Sequence, residues 1–285
     1  HARKADGLTC KGEQSVRAEK YLRQLHEQIK LPGGVHVDIE QVIPEHAGLG
    51  SGTQLAIAVG VAATKLYGLD FTPRELASIL DRGNRSGIGV GAFEQGGFLV
   101  DGGRGSADTL PPLISRLDFP AQWRVLLIMH QEMQGLHGGA EKNAFRDLPP
   151  FSNETAAHLS RLVVMNALPA LAETRLQEFG IAISEIQNIV GDYFAPAQGG
   201  RYTSPQVTQA LQWLSQQGVP GFGQSSWGPT GFAIFESESH AQALLAGMRQ
   251  QNPTASLEFR ICSARNRGGE VSSILHNVIA LKSAS

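Results

Sequence analysis

Residues 44–53 read PEHAGLGSGT, and the segments on either side of this stretch indicate the type of fold. Before it, Val35, Val37 and Ile39 alternate with polar residues, which predicts a half-buried strand. After it, apolar residues recur at helical spacing over residues 55–66, which predicts a helix. When a glycine-rich loop leads from a strand into a helix, the unpaired amides at the start of the helix point toward the loop. The positive end of the helix dipole lies at the same place. The pattern therefore predicts an anion-binding loop.

This loop also has the residue types that a phosphate requires. Its glycines lack the Cβ atoms that would block the backbone, and its two hydroxyl side chains are donors. A Walker loop is excluded because no Gly-Lys-Ser/Thr follows, and the dinucleotide fingerprint is absent. A tight turn with a good helix cap is the alternative interpretation. The predicted phosphate-binding residues of this segment are His46, Gly48, Leu49, Gly50, Ser51, Gly52, Thr53 and Gln54.

Composition narrows the class of protein. Among 285 residues, 24 basic side chains nearly balance 26 acidic ones, so no strong field attracts nucleic acid or an anionic membrane. Cys10 and Cys262 are too few for a disulfide framework or a cysteine zinc site. No apolar run reaches the roughly 18 residues of a membrane span, and the start of the chain lacks an apolar targeting core. We therefore expect a cytoplasmic protein without nucleic-acid or membrane partners.

The order of predicted elements favours an α+β fold, because strands and helices mix without strict βαβ alternation. The proline-rich stretch 110–120 predicts a boundary between domains at 1–120 and 121–285. A capping box after Thr72 predicts a helix with proline at its first position. The other predicted elements are a strand and turn within Phe93–Gly105, a strand at Trp123–His130, a helix at Ser152–Phe179 kinked at Pro169, a helix marked by Ile183–Val190, a helix from Pro205 to Gly218, and strands at Gly231–Glu236 and Leu257–Ile261.

Three glycine segments together resemble the GHMP kinase superfamily, which includes galactokinase and the homoserine, mevalonate and phosphomevalonate kinases. Residues 44–51 resemble its central phosphate-binding motif. Ser86-Gly87-Ile88 with Gly96-Gly97 resembles its second glycine region, and residues 221–231 resemble its C-terminal glycine motif. The resemblance implies a two-domain GHMP-kinase-like fold. It also adds Gly223, Gln224, Ser225 and Ser226 to the predicted substrate-binding residues.

One departure from the kinases bears on the reaction. The kinases place a catalytic aspartate where this chain has Gly89, and glycine cannot accept a proton. The combination AGLGSGTQLA, FEQGGFLVDGG, GFGQSSWGPTGFA and ARNRGG is similar to β-ribofuranosylaminobenzene 5′-phosphate synthases, a non-kinase family of the same superfamily. That similarity implies condensation of phosphoribosyl pyrophosphate with 4-aminobenzoate or 4-hydroxybenzoate, releasing pyrophosphate and carbon dioxide on the route to methanopterin. It further implies Mg²⁺ and a homodimer.

Two alternatives stay open at this stage. The chain could be an ATP-dependent small-molecule kinase in which a carboxylate such as Asp101 replaces the missing aspartate, or an inactive GHMP-fold interaction module. The retained loop with Ser51 and Thr53 argues against the inactive module.

Further site residues come from charged side chains near the second glycine region. Asp101 follows an apolar strand, where it could hold magnesium or the ribose hydroxyls or be a solvated turn; the resemblance favours catalysis and metal binding. Arg104 is predicted to be catalytic and Arg85 to bind substrate, because arginine forks bind carboxylate and phosphate. The segment GLHGGAEKNAF, with His137 and Glu141, resembles a family segment of undefined role.

Trp227 is equally suited to stacking on an aromatic substrate and to packing in the core. Family members begin with additional strand sequence, containing an Arg-Leu-His-type segment, before the region that matches residues 16–24. We therefore expect a truncated start and an incomplete set of site residues.

Overall fold

The first half of the chain folds around a three-stranded sheet and four helices. A computed structural model describes residues 1–105, 109–135, 138–251 and 256–273. In chain order the elements are β1 (Ala2–Ala5), β2 (Leu8–Gly12), α1 (Ser15–Ile29), β3 (Gly34–Ile39), α2 (Ser51–Leu66), α3 (Pro73–Ile79) and α4 (Ile88–Glu94). β3 is the middle strand, antiparallel to β1 and parallel to β2. The predicted strand before the glycine loop and the helix after it are confirmed as β3 and α2.

Helix α2 is the centre of this half. It packs against α1, α3 and α4, and the core between them includes the fully buried Leu22, Ile57 and Leu76. The apolar spacing of Leu55, Ala58/Val59, Ala62 and Leu66 predicts one buried stripe. Val59 is buried, whereas Ala58 is exposed and the other three residues are half-buried. Small residues around most of the circumference let three helices approach α2, so burial extends beyond a single stripe.

The capping box at α3 is confirmed. Thr72 Oγ1 accepts a hydrogen bond from the Glu75 amide at 3.2 Å, and the Glu75 carboxylate accepts one from the Thr72 amide at 2.8 Å. These two bonds satisfy donors that the start of a helix leaves unpaired. α3 therefore begins where the local sequence predicts.

A two-stranded antiparallel ribbon links the halves. It consists of β4 (Phe98–Asp101) and β5 (Leu113–Leu117). β4 confirms a strand within residues 93–105, although Phe93 itself belongs to the last turn of α4. β5 lies inside the stretch predicted as the boundary, and Phe119 after it packs with Trp123 and Phe179. The limits of the two domains stay a prediction, but this stretch is paired strand and core rather than a linker.

The second half packs helices against a four-stranded antiparallel sheet. Its elements are β6 (Arg124–His130), α5 (Gly138–Asp147), α6 (Asn153–Arg161), a π-helical segment (Leu162–Ala167), α7 (Leu168–Ala172), α8 (Leu176–Gln198), α9 (Pro205–Gln216), β7 (Gly221–Gln224), β8 (Gly231–Phe235), α10 (Glu238–Gln251) and β9 (Leu257–Cys262). The strand order is β7-β8-β6-β9. This confirms the strands predicted at 123–130, 231–236 and 257–261, and the helix after Ser204.

The predicted long helix from Ser152 to Phe179 is interrupted. It is π-wound just before Pro169, ends at Ala172, and restarts as α8 after Thr174, which has φ 58°. Proline lacks an amide hydrogen and its ring crowds the carbonyl four residues earlier, which favours the wider π turn ahead of it. Among the described residues, no helix combines the length and apolarity that crossing a membrane requires.

Candidate active site

The glycine loop presents one open side, at the start of α2. Gly50 precedes the helix with φ 72° and has no side-chain cap. Within the described parts of the chain, the amides of Ser51 and Gly52 have no hydrogen-bond acceptor, whereas the Thr53 amide donates to the Gly50 carbonyl at 3.1 Å. A Cβ on Gly50 would meet nothing within 4 Å. Two amides and the helix dipole therefore face open space, which suits an anion.

The other two glycines of the loop are packed, so the expectation that all three keep the approach clear is wrong. A Cβ on Gly48 would collide with the Ser225 carbonyl, and Ser225 Oγ donates to the Gly48 carbonyl at 2.8 Å. A Cβ on Gly52 would collide with the Arg17 guanidinium. The Gly135 amide also donates to the His46 carbonyl at 3.0 Å. Gly48 and Gly52 thus serve contacts within the protein.

Arg17 is a site residue that sequence reasoning missed. From α1 its guanidinium lies over Gly52, donates to Glu45 Oε1 at 2.8 Å and donates through Nε to the Tyr21 hydroxyl at 3.1 Å. Burial acts to lower its pKa, but the bonds with Tyr21 and Glu45 outweigh burial and leave the pKa above its ordinary value. An ion pair of Arg17 with Glu45 therefore stands beside the free amides, and the guanidinium is the part that lies over Gly52. No motif marks Arg17, because its position depends on the packing of α1 against α2.

Asp101 is held by the second glycine region. Its Oδ2 accepts hydrogen bonds from Ser86 Oγ at 2.7 Å and from the Gly87 amide at 2.9 Å, and its Oδ1 accepts one from the Gly103 amide at 3.0 Å. These bonds fix the turn that leads into α4. Asp101 is therefore a positioning residue in this geometry, and its catalytic and metal-binding roles stay predictions.

Gly89 packs directly against the glycine loop. Its carbonyl accepts a hydrogen bond from Gln54 Nε2 at 2.6 Å. A Cβ at Gly89 would lie 3.1 Å from Thr53 Cγ2, so a larger side chain would require Thr53 to shift. At the position where the resemblance to the kinases implies an aspartate, this chain has a glycine packed against Thr53.

A polar cleft of about 750 Å³ is lined by the segment before α4 and by the first residues of α5. Its lining includes three arginines, Arg82, Arg85 and Arg104, and two carboxylates, Asp81 and Glu141. The excess of positive charge suits an anionic ligand. Arg85 and Arg104 were predicted from the sequence, whereas no residue of Gly48–Thr53 is in the lining.

Two of the arginines in the cleft, Arg85 and Arg82, contact neighbouring side chains. Arg85 Nη1 pairs with Glu141 Oε1 at 2.5 Å. The Arg82 guanidinium stacks over the Tyr21 ring, 5.0 Å from its centroid, and so connects the cleft through Tyr21 to Arg17. His137, from the same predicted segment as Glu141, lies outside the described residues.

The C-terminal glycine motif is mostly internal. A Cβ on Gly223 would overlap the Gln187 side chain. Gln224 is 6% exposed, and its side chain accepts from the Thr203 amide at 2.7 Å and donates to the Ser226 carbonyl at 3.2 Å. Binding by Gly223, Gln224, Ser225 and Ser226 stays a prediction, because the observed contacts hold this motif against the glycine loop and α8.

Gly96-Gly97 and the ARNRGG segment form a separate clip. The Gly97 amide donates to the Arg265 carbonyl at 2.8 Å, and the Gly269 amide donates to the Phe93 carbonyl at 2.7 Å. Arg267 pairs with Glu270 at 3.0 Å. The glycines of this region thus allow close approach of two backbones.

Comparison with known proteins agrees with this architecture. Residues 16–97 match the GHMP kinases N terminal domain, and residues 167–254 match GHMP kinases C terminal. The galactokinase of Lactococcus lactis superposes with a TM-score of 0.66 at 15% identity, over 94% of this chain and 85% of that chain. Identity that low shows a shared fold alone.

Two archaeal relatives are more similar in sequence. The β-ribofuranosylphenol 5′-phosphate synthase of Methanothermobacter thermautotrophicus is 33% identical, covering 71% of this chain and 64% of its own length, so the chain spans just under two thirds of that relative. The synthase of the same name from Archaeoglobus fulgidus is 34% identical, covering 95% of this chain and 87% of the relative. The family expected from the motifs is confirmed, with relatives named for the phenol rather than the aminobenzene. The chain therefore belongs to the β-ribofuranosylphenol 5′-phosphate synthase family, on the two-domain α+β fold of the GHMP kinases.

Proposed function

We propose that this protein transfers a phosphoribosyl group from phosphoribosyl pyrophosphate to the ring of 4-hydroxybenzoate or 4-aminobenzoate, with loss of carbon dioxide, in methanopterin biosynthesis. The observation that supports it most is the pair of free amides at Ser51 and Gly52 beside Arg17. A separate cleft lined by three arginines adds to this support. The relatives named for a ribofuranosylphenol favour the hydroxy acid.

The proposed step balances without a protein base. The bond from ribose C1 to the pyrophosphate oxygen breaks, and its electron pair leaves with pyrophosphate. The ring carbon that bears the carboxylate bonds to C1. Carbon dioxide then departs, and the pair from its bond restores the aromatic ring. Since no proton is removed from carbon, a glycine at position 89 is no obstacle to this reaction.

The protein's part in this step is electrostatic. Free amides and an arginine that face the leaving group stabilise the charge that develops there, and such preorganised donors are a large source of rate acceleration. Arg17 with the amides of Ser51 and Gly52 would hold one phosphate group. Arg85 and Arg104 would face the remaining anionic groups from the cleft. Asp101 would keep the turn at Ser86 and Gly87 in place.

Magnesium stays a proposal, and the described residues do not fit a site made by the protein alone. The three hydrogen bonds to Asp101 leave little of its lone-pair capacity for a metal. Within the described ranges no group of three or more His, Cys, Asp or Glu side chains could hold a metal ion. Mg²⁺ in phosphate chemistry commonly has few protein ligands and is bound largely by phosphates and water. No step of the proposed mechanism depends on it.

A small-molecule kinase is the second candidate, favoured by the fold shared with galactokinase. Phosphoryl transfer needs in-line positioning and usually a group that orients or deprotonates the hydroxyl. Losing such a base typically costs about 10²–10⁴-fold in rate. With Thr53 against Gly89 there is no carboxylate at that position, so we expect no kinase turnover.

The homodimer and the cytoplasmic location also stay predictions.

The test is a turnover assay with phosphoribosyl pyrophosphate, magnesium and each benzoate in turn. We expect carbon dioxide and pyrophosphate in equal amounts, and no ADP when ATP replaces phosphoribosyl pyrophosphate with homoserine, mevalonate or sugars as acceptors. Robust ADP formation without carbon dioxide would establish the kinase. If a folded protein forms neither carbon dioxide nor ADP, the inactive interaction module is favoured.

A further inference from the structure

Two neighbouring arginines of the polar cleft, Arg82 and Arg85, differ in the partners of their charge. Arg85 pairs with Glu141 at 2.5 Å. Within the described residues, by contrast, no carboxylate pairs with Arg82 and no acceptor takes a hydrogen bond from its guanidinium. Arg82 is also half-buried. Because a half-buried cation without a carboxylate is destabilising, native proteins seldom retain one without a reason.

The outer end of the Arg82 side chain is accessible to a ligand. Its Nε is sealed from solvent, whereas Nη1 and Nη2 are not, and the residue is part of the cleft lining. The planar fork of an arginine can donate to two oxygens of one phosphate. Arg82 therefore has the charge and the free donors that a phosphate group requires.

The acidic side chains of the cleft do not cancel this charge. Asp81 precedes Arg82 in the chain, but its Oδ1 accepts a hydrogen bond from Asn84 Nδ2, and the described residues show no ion pair between Asp81 and Arg82. Glu141 is already paired with Arg85. An incoming anion would therefore meet an uncompensated cation at Arg82.

The position of Arg82 is fixed before a ligand binds. Its amide donates to the Ala77 carbonyl at 2.7 Å, at the end of α3. Gly83 follows with φ 81°, and a Cβ there would lie 2.7 Å from Leu110 Cδ2. The guanidinium itself lies over the ring of Tyr21, a core residue that is 2% exposed. A group held in this way loses little conformational freedom on binding.

Tyr21 also relates Arg82 to the glycine loop. Arg17 Nε donates to the Tyr21 hydroxyl at 3.1 Å, and Arg82 lies over the face of the same ring, 5.0 Å from its centroid. One phenol thus separates the cation beside the Ser51 and Gly52 amides from the cation in the cleft. Phosphoribosyl pyrophosphate has a matching distribution of charge, with pyrophosphate on C1 and phosphate on C5 of one ribose.

We propose that Arg82 binds the 5-phosphate of the ribosyl donor, while Arg17 and the free amides hold its pyrophosphate. The assignment rests on the proposed function, and it makes a sugar phosphate the ligand class of the cleft. Tyr21 is then a positioning residue, because it holds the two cations in a fixed relation to each other.

The test is calorimetry on the whole chain with two ligands that each represent one end of the donor, ribose 5-phosphate and inorganic pyrophosphate. The variants are Arg82→Gln, Arg82→Lys and Arg17→Gln. Arg249→Gln is the matched control. Arg249 also lies over an aromatic ring, 5.6 Å from the centroid of Phe259, but it is not in the cleft lining.

We expect Arg82→Gln to weaken binding of ribose 5-phosphate about thirtyfold, the effect of losing hydrogen bonds to a charged group. Its affinity for pyrophosphate should be almost unchanged, and Arg17→Gln should show the reverse selectivity. Arg82→Lys keeps the charge but not the fork, so its affinity for ribose 5-phosphate should lie between those of the wild type and Arg82→Gln. Arg249→Gln should bind both ligands as the wild type does.

Three results would overturn the assignment. The first is a folded Arg82→Gln variant that loses affinity for both ligands equally or for neither. The second is a loss of ribose 5-phosphate binding in Arg17→Gln but not in Arg82→Gln, since the sugar phosphate would then lie at the glycine loop. If Arg82→Gln does not fold, Arg82→Lys decides, and wild-type affinity for ribose 5-phosphate in that variant is the third.

The turnover assay separates this proposal from the proposed function. If carbon dioxide is released but Arg82→Gln leaves the Michaelis constant for phosphoribosyl pyrophosphate unaltered, the assignment of Arg82 is wrong and the reaction stands. If the selective loss of ribose 5-phosphate binding is seen without any carbon dioxide, the sugar phosphate site stands and the reaction is wrong.

Discussion

Two glycine-rich segments of this protein have similar composition, but of the two only the first includes a glycine with open space beside it. In the loop at 48–53, a Cβ on Gly50 would enter open space at the start of α2. In the motif at 221–231, a Cβ on Gly223 would overlap Gln187, and one on Gly231 would come within 2.5 Å of Val207. Glycine marks close approach in both places. Gly50 faces open space, whereas Gly48, Gly52 and the glycines of the second segment each face another part of the protein.

The largest effect should come from filling space in the second segment. Gly228→Ala adds a Cβ 2.6 Å from the Gln224 side chain, at φ 69°. Steric overlap and left-handed strain together should lower the free energy of unfolding by about 3 kcal/mol, as measured by urea denaturation. Gly218→Ala is the control, since φ is 85° and nothing lies within 4 Å. It should lose about 1 kcal/mol, and equal losses would mean that packing at Gly228 is unimportant.

The second-largest effect should be on ligand affinity, and it should come from Arg17 beside the first segment. Arg17→Gln removes a cation near the free amides of Ser51 and Gly52. Hydrogen bonds to charged groups contribute about 1.5–3 kcal/mol, so affinity for phosphoribosyl pyrophosphate should fall about thirtyfold by calorimetry. Arg23→Gln on the same helix removes an exposed pair with Glu19 and should bind as the wild type does. Comparable losses in both variants would show only a general charge effect.

Gly50 tests the open side of the loop itself. Gly50→Ala should reduce affinity for phosphoribosyl pyrophosphate about tenfold, or about 1.4 kcal/mol, by placing a methyl group on the anion's path. Gly68→Ala, at the other end of α2, has the same left-handed backbone (φ 66°) and equally open surroundings. Both variants should lose about 1 kcal/mol of stability, but only the first should lose affinity. If both bind normally, the loop does not hold the phosphate.

The smallest effect concerns the contact between the two segments. Ser225→Ala removes the hydrogen bond to the Gly48 carbonyl, which should cost about 1 kcal/mol of stability. Ser160→Ala removes an exposed bond within one helix and should stay within about 0.5 kcal/mol of the wild type. No difference between the two variants in urea denaturation would mean that the segments fold independently.

The features that could be predicted from the sequence are those that depend on residues close together in the chain. The strand–loop–helix unit at 34–66, the cap at Thr72 and the helix after Ser204 depend on neighbouring residues, so the sequence predicts them correctly. The position of Arg17 over Gly52 depends on the packing of distant segments.

The atoms that pack against a glycine also depend on distant segments, so the sequence does not identify them. Composition predicts that some atom comes close to Gly223, but not that the atom belongs to Gln187. Asp101 is similar, because a carboxylate after a strand is equally suited to a metal and to three hydrogen bonds with its own turn. The folded structure is needed to distinguish a metal-binding carboxylate from one that is bonded to its own turn.

The most direct test of this account is a titration of ¹⁵N-labelled protein with inorganic pyrophosphate, followed by amide chemical shifts. We expect saturable shifts at Ser51 and Gly52, with Gly221 and Gly223 nearly unmoved. In Arg17→Gln the shifts at Ser51 and Gly52 should be smaller. Saturable shifts confined to residues 221–231, with Ser51 and Gly52 unmoved, would contradict it.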